Sequence, residues 1–228
     1  TESQAEQATQ EKKTADVDAA EDIDKNAKAG SDGAETTEAG ENAKAATEDA
    51  EDSGAVLKNG RYILARPSQN DALSVKGSQL VDESGQAVQL RGISTHGIAW
   101  FPDYINQDMI MQLSTDWGAN LLRIAMYTDE NGGYCTDGDK GKLKQLILDG
   151  VEYAKQADMY VIVDWHILHD NNPLTHKEEA LQFFREMTGQ LKNEKHVLYE
   201  ICNEPNSGCS WEDIKTYANE GIPVIREN

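Results

Sequence analysis

The sequence predicts an α/β fold, a (β/α)8 barrel of which only about the first four βα units are present, preceded by a disordered acidic tail. Three observations point there. After residue 75, apolar runs of strand length alternate with stretches of helical periodicity. The runs are nearly free of polar interruptions, as strands covered on both faces of a parallel sheet should be. Each run ends in polar groups: His96, then Arg123 with Tyr127, then His166, then Asn203 with Glu204. The βαβαβαβα order fits a doubly wound sheet as well as a barrel, with right-handed crossovers in either. No G-x-G-x-x-G or G-x-x-x-x-G-K-[ST] follows any strand, so the phosphate fingerprints of doubly wound folds are missing. Four polar strand ends favour the barrel, which keeps its chemistry at the C-terminal ends of its strands.

The elements follow in order. Gln79 to Asp82 and Ala87 to Leu90 are short strands flanking the turn Glu83-Ser84-Gly85-Gln86, and the second continues through Gly92-Ile93-Ser94 to His96. Met109, Ile110, Leu113 and Trp117 recur at helical spacing over 107–117, with Gly118 as the stop. Residues 120–127 form the next strand. Leu143, Leu146, Ile147, Val151 and Ala154 share one face of a helix over about 140–157. Tyr160 to His166 is an almost wholly apolar strand, and Ala180, Phe183, Phe184, Met187 and Leu191 mark a helix over 176–192. The run Val197 to Cys202 reads as a buried strand, which Pro205 keeps from continuing. Ser210 can cap a final helix ahead of Trp211-Glu212-Asp213.

Composition divides the chain. Residues 1–53 carry 16 acidic and 5 basic side chains, a net of −11, and no aromatic residue. Such a segment cannot bury enough apolar surface to offset the entropy of ordering it, so residues 1–70 read as an acidic low-complexity tail or linker and 71–228 as the globular part. Ordered structure is expected to begin between Val56 and Val75. The whole chain has a net charge of −20 and no clustered Lys and Arg, which argues against a nucleic-acid partner. No apolar run approaches about 18 residues, so no membrane span is expected. Position 1 is Thr and no basic-then-apolar leader follows. Cys135, Cys202 and Cys209 lack metal spacing and allow either one disulfide with a free thiol or three thiols.

Asn203-Glu204-Pro205 places a carboxyl group at a strand's C-terminal end beside an amide able to bond a sugar hydroxyl. Taken alone, the triplet more often describes a strand end with a solvated Glu. Together with Gly92-Ile93-Ser94-Thr95-His96-Gly97, Leu122-Arg123-Ile124-Ala125-Met126-Tyr127, Val163-Asp164-Trp165-His166 and Tyr199-Glu200-Ile201-Cys202, it resembles glycoside hydrolase family 5 over roughly residues 75–228, most nearly its bacterial endo-β-1,4-glucanases. Further stretches agree, among them Asp170-Asn171-Asn172-Pro173 and Ile222-Pro223-Val224-Ile225-Arg226.

The resemblance implies a retaining glycosidase in which one carboxyl protonates the leaving oxygen and a second, about 5–5.5 Å away, attacks the anomeric carbon. It makes Glu204 the general acid/base and Asn203 the partner of the sugar 2-hydroxyl. It makes Arg123 the cation that keeps the nucleophile ionised. His166 and His96 become neutral hydrogen-bond partners beside the scissile bond, and Trp100 and Tyr127 sugar-contacting aromatics. Residue by residue, plainer readings compete. Arg123 could pair with a structural carboxylate such as Asp164, and Trp100 and Tyr127 could be core or rim aromatics. Asp164 and Glu200, inside strands, read as structural or supporting groups, and His169 and His196 as loop residues. His166, His169 and His176 are joined by no further ligand cluster, so no metal is expected, and no cofactor is implied.

The family's nucleophile is a second Glu near the end of the seventh strand, and no such residue is expected here. Glu212, Glu220 and Glu227 read as helix surface. The expectation is a fragment of a longer product, inactive alone and with an uncovered sheet edge. The expected substrate is cellulose or a related β-glucan, with mannan, xylan or xyloglucan as alternatives; a non-catalytic carbohydrate-binding or interaction protein on a decayed barrel is the other reading. A polymer substrate implies export, and the acidic tail could link to an anchor or another module.

Overall fold

In a computed structural model of the chain, residues 63–228 are described. The predicted acidic tail therefore lies outside the described residues up to position 62. Residues 63–70, assigned to that tail by composition, instead form strand β1 (Ile63–Leu64) and the short helix α1 (Pro67–Asn70).

Four parallel strands make the central sheet: β5 (Gly92–Ser94), β6 (Leu121–Tyr127), β7 (Tyr160–His166) and β8 (Val197–Glu200), hydrogen-bonded in sequence order. Helix α2 (Gln107–Thr115) connects β5 to β6, α3 (Lys140–Gln156) connects β6 to β7, α4 (Lys177–Leu191) connects β7 to β8, and α5 (Trp211–Arg226) follows β8. The caps are those the sequence supplies. Asn106 accepts from Met109 N–H at 2.9 Å, Asp139 from Lys142 N–H at 3.0 Å, and Ser210 forms a capping box with Asp213.

Strand periodicity sorts the side chains into two layers. Leu122, Ile124 and Met126 of β6 and Val161, Val163 and Trp165 of β7 join Ile110, Leu143, Ile147, Val151, Phe183 and Phe184 of the helices in the main apolar core. The alternate positions carry Arg123, Tyr127, Asp164 and His166 on the opposite face. At the strands' N-terminal ends this second face is apolar. There Tyr160 is buried with Ala65 and Val88, and Leu121 and Leu198 pack against them. Polar chemistry is thereby restricted to the C-terminal ends. Gly92 is required where β5 meets β6, because a Cβ there would lie 2.3 Å from the Leu121 carbonyl oxygen.

Three expectations need correction. The predicted hairpin of residues 79–90 is a single antiparallel bridge, Val81 to Ala87. The first of its strands, β3 (Gln79–Val81), pairs mainly with β2 (Ser74–Lys76), and the second, β4 (Val88–Gln89), pairs in parallel with β1. Helix α2 stops at Thr115, since Gly118 turns the backbone at φ +69° and Ala119 N–H returns to the Leu113 carbonyl. Trp117 is consequently 76% exposed rather than on the buried stripe. Finally, β8 is only half-buried along its length. It borders the sheet, and no strand among the described residues pairs with its outer side.

Candidate active site

The four strand ends meet in one hydrogen-bonded network centred on Arg123. Its Nε and Nη2 donate to the two oxygens of Glu200, each at 2.7 Å, a fork-to-carboxylate pair. Nη2 also donates to Asn203 Oδ1 at 2.9 Å and lies 2.9 Å from Asp164 Oδ2, and Nη1 donates to Ser94 Oγ at 3.2 Å. Residues from all four strands or their C-terminal extensions thus converge on one guanidinium. Hydrogen bonding to Glu200 raises the Arg123 pKa against the opposing effect of burial, with Asp164 adding to the rise, so the cation is permanent.

Asp164 is fully buried. Burial pushes its carboxyl above the ordinary range, while the His166 hydrogen bond and the nearby Arg123 charge work against that rise. His166 Nδ1 lies 2.6 Å from Asp164 Oδ2. Asn203 is held on three sides: its N–H donates to the Trp165 carbonyl at 3.1 Å, its Nδ2 to the Ile167 carbonyl at 3.1 Å, and its Oδ1 accepts from Arg123. An amide nitrogen has two N–H groups, so one remains for a substrate. Glu204 follows directly, exposed, and its carboxylate has no hydrogen-bond partner among the described residues. Its loop turns through Ser207 (φ +37°) and Gly208 (φ +90°) and is pinned where Asn206 N–H donates to the Asn171 carbonyl at 2.9 Å.

An aromatic wall adjoins this network. Tyr127 stands 4.0 Å from His166 and 4.8 Å from Trp100, centroid to centroid, and its ring is parallel to His96 at 5.7 Å. Burial raises the Tyr127 phenol, keeping it neutral. Trp100 is anchored by its Nε1–H to the Asn131 carbonyl at 2.7 Å and leaves 38% of its surface exposed. All seven residues singled out from the sequence therefore stand at one end of the sheet: Glu204, Asn203, Arg123, His166, His96, Trp100 and Tyr127.

Other groups fall elsewhere. Glu212, Glu220 and Glu227 are exposed on or just after α5, with Glu220 paired to Lys177 at 2.9 Å. His169 is an exposed loop residue whose N–H donates to Glu130 at 3.0 Å. His196 differs from its reading as an ordinary loop residue. It is buried, with Nε2 at 3.2 Å from the Val151 carbonyl, and burial lowers its pKa. Cys135, Cys202 and Cys209 are thiols, and burial pushes Cys135 up to about 12 and Cys202 up to about 11. Among the described residues no group of three or more His, Cys, Asp or Glu could hold a metal ion, and no helix is long and apolar enough to cross a membrane.

The sequence reading missed two things. It left Glu200 without a specific partner; the register of β7 and β8 sets Glu200 beside Asp164, on the face that carries Arg123. It also passed over Phe101, whose ring meets His96 edge-on at 5.4 Å and is 46% exposed; its position beside Trp100 was the available signal.

Comparison with known proteins bears on this geometry. A family model described as "Cellulase (glycosyl hydrolase family 5)" matches residues 81–228. The chain is 51% identical over 156 residues to an endoglucanase A of Butyrivibrio fibrisolvens, covering 68% of this chain and 36% of that protein. It is 47% identical over 165 residues to an endoglucanase of Clostridium saccharobutylicum, covering 71% and 36%. Among solved structures, a cellulase named Cel5C_n superposes with a TM-score of 0.69 at 41% identity, covering 73% of this chain and 54% of that one. The catalytic domain of Thermobifida fusca endoglucanase Cel5A superposes with a TM-score of 0.67 at 41% identity, covering 72% and 52%. The chain thus spans about a third of the length of these curated relatives and about half of the solved catalytic domains.

Proposed function

The chain belongs to glycosyl hydrolase family 5, the cellulase family with a (β/α)8 barrel, and from that premise we propose that its site is the acid/base half of a retaining endo-β-1,4-glucanase. Glu204 donates its proton to the glycosidic oxygen as a second carboxylate attacks the anomeric carbon. The bond to the leaving sugar breaks, and its electron pair departs on the protonated oxygen. Glu204, now ionised, then takes a proton from the water whose oxygen displaces the carboxylate from the glycosyl intermediate. The second carboxylate comes from a strand outside these 228 residues.

The observation that carries this reading is the 2.9 Å hydrogen bond from Arg123 to Asn203. It ties the group suited to hold the nucleophile to the residue preceding the proton donor. Arg123 makes four hydrogen bonds, two to Glu200 and one each to Asn203 and Ser94. A guanidinium has five N–H donors, so one on Nη1 is left to meet an incoming carboxylate. The spare N–H of Asn203 suits a sugar 2-hydroxyl, and Trp100 and Tyr127 offer faces for glucose rings. The substrate follows the relatives' names, cellulose and related β-1,4-glucans; activity assays on mannan and xyloglucan would test that assignment. An insoluble polymer requires export, and the acidic segment would then serve as a linker to an anchor or further module.

The test uses Glu204→Gln in a protein carrying the complete barrel. Activity on cello-oligosaccharides, which have poor leaving groups, should fall by about 10²–10⁴, while activated aryl glycosides should lose far less. Equal losses on both would overturn the assignment of Glu204 as acid/base.

A further inference from the structure

We propose that Asp164 is a positioning residue that locks His166 in the tautomer protonated at Nδ1, so that the two histidines of the aromatic wall present opposite hydrogen-bonding characters to the substrate.

Asp164 Oδ2 receives two close partners, His166 Nδ1 at 2.6 Å and Arg123 Nη2 at 2.9 Å. A separation of 2.6 Å between nitrogen and oxygen requires a proton between them. Its owner is decided by the guanidinium on the same oxygen, which favours an anion there and leaves no room for a hydroxyl hydrogen. The other oxygen, Oδ1, is buried and has no hydrogen-bond partner. Oδ2, which takes both contacts, is therefore an acceptor, and His166 must be the donor. With Nδ1–H committed, Nε2 of the neutral ring carries a lone pair and can only accept. Tyr127, packed against the ring face at 4.0 Å, blocks rotation out of this arrangement.

His96 is set the other way. Its Nδ1 accepts the Gly97 N–H at 2.8 Å, so its neutral ring carries the proton on Nε2 and donates. The wall thus offers an acceptor at His166 and a donor at His96, on either side of Tyr127. Sugar hydroxyls both donate and accept, and a fixed donor and acceptor select a hydroxyl's orientation where freely exchanging tautomers would not. The link to catalysis rests on the glucanase reading above; the tautomers themselves do not.

Nitrogen-15 NMR of the imidazoles in the 228-residue chain, at a pH where both are neutral, reads the protonated nitrogen directly. The wild type should show His166 protonated at Nδ1 and His96 at Nε2. Asp164→Ala should move the His166 proton to Nε2 and leave His96 unchanged. Asp164→Asn should retain the wild-type pattern, because Arg123 keeps the amide oxygen in the place of Oδ2. A wild-type His166 protonated at Nε2 would overturn the proposal even if Asp164→Ala fails to fold, as would an unchanged tautomer in a folded Asp164→Ala. A wild-type result as expected, alongside equal losses for Glu204→Gln on both substrate classes, would sink the glucanase reading and spare this one.

Discussion

At the scale of single residues, the site is an electrostatic knot whose stability depends on Arg123. Removing that cation strands Asp164 in the interior and leaves Glu200 and Asn203 without their donor. Breaking a buried ion pair costs about 3–5 kcal/mol. Here Arg123 is 20% and Glu200 30% exposed at the side chain, so solvent should recover part of that and Arg123→Met should cost about 2–3 kcal/mol. Denaturant unfolding would measure this, and a loss below about 0.5 kcal/mol, the range of an ordinary surface change, would mean the network is decorative. Asp164 also marks the pH profile. Its pKa is raised in the folded chain, chiefly by burial, so folding binds a proton that the unfolded chain gives up first. Its contribution is fully present below about pH 4 and declines as pH rises through the folded value. Asp164→Asn should flatten unfolding free energy against pH across that window; an unchanged slope would assign it to other groups. Asn203 and Glu204 were legible in the sequence because they directly follow an apolar strand, and Arg123 because it interrupts one. The Arg123–Glu200 pair was not, since its partners lie 77 residues apart and only the sheet brings them together.

At the scale of elements, what could be read from sequence tracked how local the determinants were. Strand β7 is almost continuous in apolar residues and appears with the bounds its pattern predicts, Tyr160–His166. Helices α3 and α4 fall within about a residue of their expected limits because their apolar stripes are local signals, and α5 starts where Ser210 was expected to cap it. The segment before residue 90 was misread because β3 pairs with the preceding β2 rather than with the run that follows it, and β4 pairs with the distant β1. The strongest local device there is Asp82, at the turn after β3. Its carboxylate accepts from Ser84 N–H and Gln86 N–H at 3.0 and 2.9 Å, from Ser84 Oγ at 2.7 Å, and from the buried Asn70 amide at 2.8 Å. Burial alone would push its pKa up, but these hydrogen bonds outweigh it and hold the carboxyl below the ordinary range. A depressed carboxyl stabilises the fold above its unfolded pKa and loses that contribution as pH falls through the folded value. Asp82→Ala, which orphans the Asn70 amide, should therefore cost about 1–3 kcal/mol at neutral pH, with the deficit shrinking below about pH 4. Parallel melting curves at pH 7 and pH 3 would show this, and an equal deficit at both values would rule out the ionised carboxylate as its source.

At the scale of the whole molecule, the described sheet is open at both sides. β5 is exposed along its length and β8 half-buried. An apolar groove of ≈ 380 Å³ runs beside β5, lined by Ile93, Phe101, Tyr104, Met109 and Leu113 among others. A parallel strand with an unpaired edge is a template for pairing with another chain, and a barrel escapes that only by closing. The polar inner face sharpens the point. Arg123, Asp164 and Glu200 make sense in a walled-off site, whereas on an open sheet their charges are weakened by water. The solved family domains contain about twice the length matched here, enough for the strands that would close the circle. The 228-residue chain by itself should accordingly bind a hydrophobic dye, associate through its sheet edges, and leave carboxymethylcellulose intact. A protein extended through the remaining strands should lose the dye signal, become monomeric and gain activity. Light scattering, dye fluorescence and reducing-sugar release, measured on both proteins in parallel, separate these states. If the 228-residue chain alone cleaved carboxymethylcellulose at the rate of the extended one, the second carboxylate would have to lie within these residues, and the division of the site between two halves of a barrel would fall.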